Sequence, residues 1–260
     1  MSDFMKYPLL LLAPVLACSS GRLVARSPTP GRAHLTVMTY NVNYGIPGDA
    51  PTIQAIRQGD TDLVCLQETT PAWESSLRHE LAERYPHMAF VTAPGAGGLG
   101  LLSAAPFENL GVQDNPRGWF PSWRVRVHAP AGDVQVLLVH LHPPVSESGS
   151  YVSGYFSTGD RRRQEILQFT RALDLAQPTL VVGDFNESGG AALRHLSGLG
   201  LRDVVDEFGL GTTWHWPTSF GDLRMTFDHV FHSPQLTPLN AWVRQAGRSD
   251  HLPVVAVFEL

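Results

Sequence analysis

Lysine is all but absent from this chain: Lys6 is the only one, and arginine carries nearly all of the positive charge. Arginine suits forked binding of phosphate, but a coding bias toward arginine accounts for the imbalance more simply. Charged residues make up only 17% of the 260 positions, and the formal net charge is −5 with histidine neutral. That balance excludes a protein that grips nucleic acid by bulk positive charge. A phosphate ester remains open as substrate if a divalent cation neutralises part of its site. Cysteine is scarce as well, at two residues, Cys18 and Cys65. No internal repeat is visible, and no linker follows residue 32. What is present is a hydrophobic content of 43%, enough to bury a sizeable core in one α/β domain or two small ones.

The N terminus reads as an export signal. Lys6 precedes the apolar run Leu9 to Ala17, which is too short to span a bilayer as a mature helix. The run ends in Val15-Leu16-Ala17-Cys18, followed by Ser19-Ser20-Gly21. This resembles a bacterial lipobox, whose cysteine is lipidated and becomes the mature N terminus; Leu16 departs mildly from the pattern. The expected organisation is a signal over 1–18, a flexible tether over 19–33 and a folded domain over 34–260, held at a membrane of the cell envelope by lipid on Cys18. A plain secretory signal that releases the protein is the alternative. With Cys18 lipidated, Cys65 has no partner for an intramolecular disulfide, and a core of this size needs none.

Along the domain, β-branched and apolar runs alternate with helical spacing. Strands are expected at 35–40, 62–67, 87–91, 99–103, 123–128, 134–141, 179–182, 226–232, 241–244 and 254–258. Helices are expected at 51–59, from Pro71 to Glu83, over 161–175 and over 191–196. Residues 143–159 read as a long loop rich in Ser, Gly and Tyr. Strands and helices alternate early and strands dominate late, which argues for a mixed-sheet α/β layer architecture.

Polar residues recur where apolar strands end: Asn41, Glu68, His140, Asp184 with Asn186, Asp228, and Ser249-Asp250-His251. Each alone has an ordinary explanation as a turn cap, an ion-pair partner or a core histidine. Together they fit a layered fold in which strand exits converge on one pocket. In Gly183-Asp184-Phe185-Asn186 the two-residue spacing puts the carboxylate and the amide on one side of the chain. A pair of that kind can orient a water and hold an oxyanion.

Thr39-Tyr40-Asn41, Leu66-Gln67-Glu68, His140-Leu141-His142, Gly183-Asp184-Phe185-Asn186 and Ser249-Asp250-His251 stand in the order seen in the endonuclease/exonuclease/phosphatase superfamily of metal-dependent phosphoesterases. The sequence resembles that superfamily from about Leu35 to Leu260. The resemblance implies a four-layer α/β/β/α sandwich with two packed mixed β-sheets. It implies Mg²⁺ (or Mn²⁺ or Ca²⁺) held chiefly by Glu68, with Asn41 and Asp250 as further metal residues. It implies a catalytic set of His140, Asp184, Asn186, Asp228 and His251. In that set Asp184 positions or deprotonates water, Asn186 holds the water or a phosphate oxygen, and His251 is oriented by Asp228. His140 would be a second donor to the phosphate or help the leaving oxygen. His142 and Tyr155 are expected on the substrate side, Tyr155 within the loop that would set specificity. Trp214 and Trp216 are expected to pack in the core, and one of Arg161, Arg162 and Arg163 to turn inward.

The expected activity is an exported phosphodiesterase or nuclease, acting as a monomer. Phospholipid, inositol phosphate or another small phosphate ester is the alternative substrate. A non-catalytic binding protein on the same fold is a remoter one.

Overall fold

The computed structural model describes residues 22–260 except 117, 131, 146–148, 150, 219 and 220, and omits the side chains of 151, 152, 156 and 218. The expected signal and Cys18 lie outside the described residues. Two six-stranded sheets form the centre. The first contains β1 (His34–Asn41), β2 (Leu63–Gln67), β3 (His87–Val91), β4 (Leu99–Ser103), β13 (Thr237–Val243) and β14 (Val254–Glu259), in the order β13-β14-β1-β2-β4-β3. The second contains β5 (Phe107–Gln113), β6 (Ser122–Ala129), β7 (Gly132–His140), β8 (Thr179–Asp184), β9 (Arg202–Asp203) and β12 (Asp228–His232), in the order β5-β6-β7-β8-β12-β9. Each sheet is mixed in the same way: one parallel pair, β1 with β2 and β7 with β8, sits among antiparallel neighbours. A hairpin of β10 (Trp214–Thr218) and β11 (Gly221–Met225) stands apart from both.

Strand alternation builds the layers. Leu35, Val37, Leu63, Cys65, Val136, Leu138, Leu180 and Val182 fill the space between the sheets. The opposite faces take helices. Met38, Tyr40, Val64 and Leu66 pack with residues of α1 (Ala50–Arg57) and α2 (Pro71–Leu81). Leu137, Val139 and Val181 pack with α4 (Gly159–Phe169) and α5 (Ala191–Gly198). This is the expected four-layer α/β/β/α sandwich. Thr70 caps α2 by accepting from Trp73 N, with Pro71 at the first helical position, as the sequence signalled.

Several elements differ from expectation. The long loop contains the helix α3 (Tyr151–Ser157), where a short, glycine-interrupted turn leaves little periodic signal. Helix α4 stops at Phe169 instead of Leu175 and tightens into a 3₁₀ turn over Thr170–Ala172. There the Thr170 hydroxyl donates back to Ile166 O at 2.7 Å, a bond that bends helices. The edge strand β5 escaped notice because its register shifts between Asn109 and Gly111 and breaks the two-residue pattern. A last helix, α6 (Val204–Phe208), ends in the left-handed Gly209.

Candidate active site

The inter-sheet face of each central strand is apolar until its last turn of pleat. Val37, Thr39 and Asn41 share one face of β1; Leu138 and His140 share one of β7; Val182 and Asp184 share one of β8. Asp228 opens β12 directly opposite Asp184 in the ladder, and His140 pairs in register with Asp184. The site is therefore the polar cap of the hydrophobic core. The side chains reach it because the same alternation that buries valine and leucine carries on for one more step.

Asp184 is the hub. Its Oδ2 accepts from Asn41 Nδ2 at 3.1 Å and lies 3.5 Å from both His140 Nε2 and His251 Nε2. Its Oδ1 accepts from the Asn186 backbone N at 2.9 Å, and Asn186 Nδ2 donates to Leu141 O at 3.0 Å. His251 Nδ1 donates to Asp228 Oδ2 at 2.9 Å. His251 is fixed by its neighbours: Ser249 Oγ donates to Asn41 O at 2.7 Å and accepts from His251 N at 3.2 Å. Glu68 Oε1 accepts from Asn41 Nδ2 at 2.9 Å and Oε2 from Tyr44 N at 3.0 Å. Asp250 accepts from Asn43 Nδ2 and from Trp214 Nε1, each at 3.0 Å.

Burial sets the charges. Burial disfavours the His251 cation, but the Asp228 and Asp184 carboxylates outweigh it and hold its pKa at about 10. Burial raises Asp184 well above the carboxylate range despite the His251 cation beside it. Glu68 is raised by burial too. His140 is pushed the other way, to about 3, by burial and then by His251. Its Nδ1 lies 3.2 Å from Ala96 O, which can only accept. The neutral ring therefore carries its proton on Nδ1 and turns a lone pair on Nε2 toward the site. In that tautomer His140 Nε2 faces the site as an acceptor.

Three of the four non-glycine residues with positive φ among the described residues are Asn43, Glu68 and Asn186. Left-handed backbone at such residues costs about 1–3 kcal/mol each and collects at functional sites. Gly183, at φ 146°, has no room for a Cβ, which would meet Val139 O at 1.9 Å.

These groups open into a cleft of about 570 Å³ lined by Glu68, His140, Asp184, Asn186, Asp250 and His251, with Tyr44, Trp119, Phe120, Trp214 and Phe227 among its aromatic walls. Among the described residues no arginine or lysine lines it. Asn41 and Asp228 stand directly behind these groups. His142 does not line the cleft: it is buried against Trp119, ring centroids 4.5 Å apart, with neither ring nitrogen hydrogen-bonded to a described residue. Tyr155 stands behind Phe227, its hydroxyl donating to Ser188 O at 3.3 Å. Trp214 is buried and part of the wall, whereas Trp216 is exposed. Sequence reasoning missed Tyr44, Trp119 and Phe120, which sit in loops without periodicity. It also missed the buried pair His229–Asp203, 2.6 Å apart. The inward arginine is Arg162, bonded to Glu187 Oε2 at 3.1 Å.

Glu68 and Asp250 offer carboxylate oxygens, the donor type that suits a hard divalent cation, whereas Asn41 turns Nδ2 to Glu68 and Asp184 and its Oδ1 to Asn43 N. Each Glu68 oxygen accepts a single hydrogen bond from the described residues and keeps lone-pair capacity. The set fits such an ion. Asp184, Asp228 and His251 also bring one donor atom each within 4.8 Å of one another. There, however, Asp228 Oδ2 and His251 Nδ1 are already spent on each other, and a protonated imidazole is no metal ligand.

A family model described as the Endonuclease/Exonuclease/phosphatase family matches residues 38–251. Among solved structures, the endonuclease/exonuclease/phosphatase from Beutenbergia cavernae is similar at 23% identity, with a TM-score of 0.68 over 88% of this chain and 72% of that one. TDP2 of D. rerio, complexed with single strand DNA product, is 19% identical with a TM-score of 0.68 over 87% of this chain and 99% of that one. An AP endonuclease from Archaeoglobus fulgidus is 19% identical with a TM-score of 0.64 over 87% of this chain and all of that one, 100%. No curated protein matches the chain in sequence. At these identities the structural likeness establishes the shared fold.

Proposed function

The chain belongs to the endonuclease/exonuclease/phosphatase family, and from that premise we propose that it is a divalent-cation-dependent phosphodiesterase acting on nucleic acid. One observation carries the reading. A buried carboxylate, Asp184, faces two histidines in opposite protonation states, in a cleft with two further carboxylates and no arginine or lysine among the described residues. A phosphate cannot enter such a cleft unless a cation accompanies it.

A divalent ion held by Glu68, with Asn41 and Asp250 beside it, would neutralise phosphoryl oxygens and stabilise charge as it grows during attack. Asp184 holds the attacking water and takes its proton, and its raised pKa makes that transfer favourable near neutral pH. Asn41 and the Asn186 backbone fix that carboxylate in place. The His251 imidazolium, held by Asp228, donates Nε2–H to a non-bridging phosphoryl oxygen. The oxygen of water bonds to phosphorus, the ester bond on the opposite side breaks, and the departing oxygen takes its proton from solvent. The lone pair on His140 Nε2 gives the water a second acceptor.

The choice of nucleic acid rests on the aromatic walls, which suit planar bases, and on the two similar structures whose descriptions concern DNA or abasic-site cleavage. Phospholipid and small phosphate esters remain the alternatives. Export with lipid on Cys18 rests on the Val15–Cys18 pattern alone. The test is the purified chain offered plasmid DNA, RNA, sphingomyelin, inositol phosphates and bis-p-nitrophenyl phosphate with Mg²⁺, Mn²⁺ or EDTA. Cleavage of nucleic acid that EDTA abolishes is expected. Turnover unaffected by EDTA, or no turnover of any substrate, overturns the proposal. Metabolic labelling with palmitate tests Cys18.

A further inference from the structure

The expected tether is not free of the domain. Residues 22–33 have little regular structure, yet they are bonded to it at three places. Leu23 N donates to Glu207 O at 2.6 Å and Arg26 N to Leu239 O at 2.8 Å. Thr29 N donates to Glu259 Oε1 at 2.5 Å. Arg32 lies 3.7 Å from the same carboxylate, and Thr29 holds that carboxyl below the usual range.

These anchor points share one pole. Glu259 pairs with His34, at the start of β1, whereas Asn41 and the site are at its end. Glu207 Oε2 lies 2.8 Å from His232 Nε2, and His232 pairs with Leu180, while Asp228, at the other end of β12, pairs with Asp184. Seven strand steps of about 3.3 Å put the strap pole some ~23 Å from the catalytic end. The strap also presents its own chemistry. Val24 is 80% exposed and Leu23 38%. The strap itself carries Arg22, Arg26 and Arg32 and no carboxylate, whereas Glu68, Asp184 and Asp250 line the cleft at the other pole.

We propose that the strap seats the domain on an anionic bilayer in a single orientation, with the catalytic pole pointing into the aqueous phase. Its substrate is then a soluble phosphodiester, not a lipid of the membrane that holds it. This rests on the reading of Cys18 as the lipid-bearing residue and deepens the phosphodiesterase reading by excluding one substrate source. Three residues separate Cys18 from Arg22, so the lipid can stand at most about 14 Å from the strap. An exposed aliphatic pair flanked by arginines fits the boundary between acyl chains and anionic headgroups.

The test is the lipidated full chain in vesicles of phosphatidylethanolamine and phosphatidylglycerol that contain a nitroxide-headgroup lipid. A Leu23→Trp variant is expected to show at least threefold more quenching of its added emission than the native tryptophans, which include Trp119 and Trp214 at the cleft. Hydrolysis of soluble bis-p-nitrophenyl phosphate should be equal, within twofold, on vesicles and in detergent. The variant Glu259→Ala removes the acceptor of Thr29 N and the partner of Arg32; it should loosen the strap and let the native tryptophans be quenched more strongly without changing that hydrolysis. Membrane-bound protein whose native tryptophans are quenched as strongly as the added one overturns the orientation. Protein that carries no lipid and does not float with vesicles overturns it through its premise. Correct quenching without hydrolysis of any diester leaves the orientation standing and removes the enzymatic reading instead.

Discussion

The two poles of the sandwich are the two ends of the same strands, and they are built by opposite rules. At the catalytic pole the alternation of β1, β7, β8 and β12 continues past the core, so that Asn41, His140, Asp184 and Asp228 crowd one buried volume. Backbone is strained there at Asn43, Glu68 and Asn186, and the buried oxygen Asp228 Oδ1 has no hydrogen-bond partner among the described residues. At the strap pole the chain lies exposed and is held by a few backbone bonds and one carboxylate, and the one described non-glycine residue with positive φ at that end is Asp60, in the turn before β2. The difference teaches where stability was given up. Buried charge and positive φ are costly, and this fold gathers most of them at one end, where they hold reacting groups in position.

The comparison can be broken most sharply at the catalytic pole. His251→Ala or Glu68→Ala should lower kcat on the order of a thousandfold; the melting temperature should stay near level for Glu68→Ala but fall for His251→Ala, which strands the buried Asp228 carboxylate. A variant that keeps wild-type turnover would detach chemistry from that pole. Gly183→Ala should cost both properties. Its Cβ meets Val139 O and its φ is unfavourable, a loss on the order of 3 kcal/mol in denaturant unfolding, with activity falling alongside.

Just beneath the site, both ring nitrogens of His229 face acceptors: Asp203 Oδ2 at 2.6 Å on one side, Glu187 O and Thr226 O on the other. Burial opposes its charge, but Asp203 overcomes this and raises its pKa to about 9. The folded state therefore holds a proton that the unfolded state releases near pH 6.5. This stabilisation is complete below about pH 6.5 and is lost as pH rises through about 9. Asp203→Asn should cost about 3 kcal/mol at neutral pH and flatten that alkaline decline, as measured by urea unfolding across pH 6 to about 10. An unchanged pH profile would show that His229 is not the group responsible.

The smallest effect is expected at the strap. Glu259→Ala should change global stability little and leave turnover unaltered, yet speed proteolysis within residues 22–33. Because Thr29 depresses the Glu259 pKa, its contribution is present above the ordinary value of about 4.3 and is lost as pH falls below it. Strap release in the wild type should follow the same acid window. Equal protease resistance in the variant would mean that the backbone bonds of Leu23 and Arg26 suffice.

Much of the architecture was legible because strands of uniform alternation announce themselves: 87–91 and 99–103 were read to the residue. Elements that break the pattern were lost, among them β5 with its shifted register and the isolated hairpin of β10 and β11. The polar strand ends were legible as a set for the same reason, since each interrupts an apolar run. What their neighbours do to them was not legible. The Ala96 carbonyl fixes the tautomer of His140 from 44 residues away, and Trp119 covers His142 from a loop with no periodic signal.

The sequence by itself determined the mixed-sheet α/β class and the identity of the polar strand ends, carried by local period, and the family with the four-layer fold it implies, carried by the order of the motifs along the chain. Only the tertiary structure decided that Asp184 would be the shared hub, that His251 would be charged and His140 neutral, and that the expected tether would lie along the far pole. Those outcomes depend on distances between segments remote in the chain and on burial, which sets the energy of a charge and is a property of the assembled volume rather than of any stretch of residues.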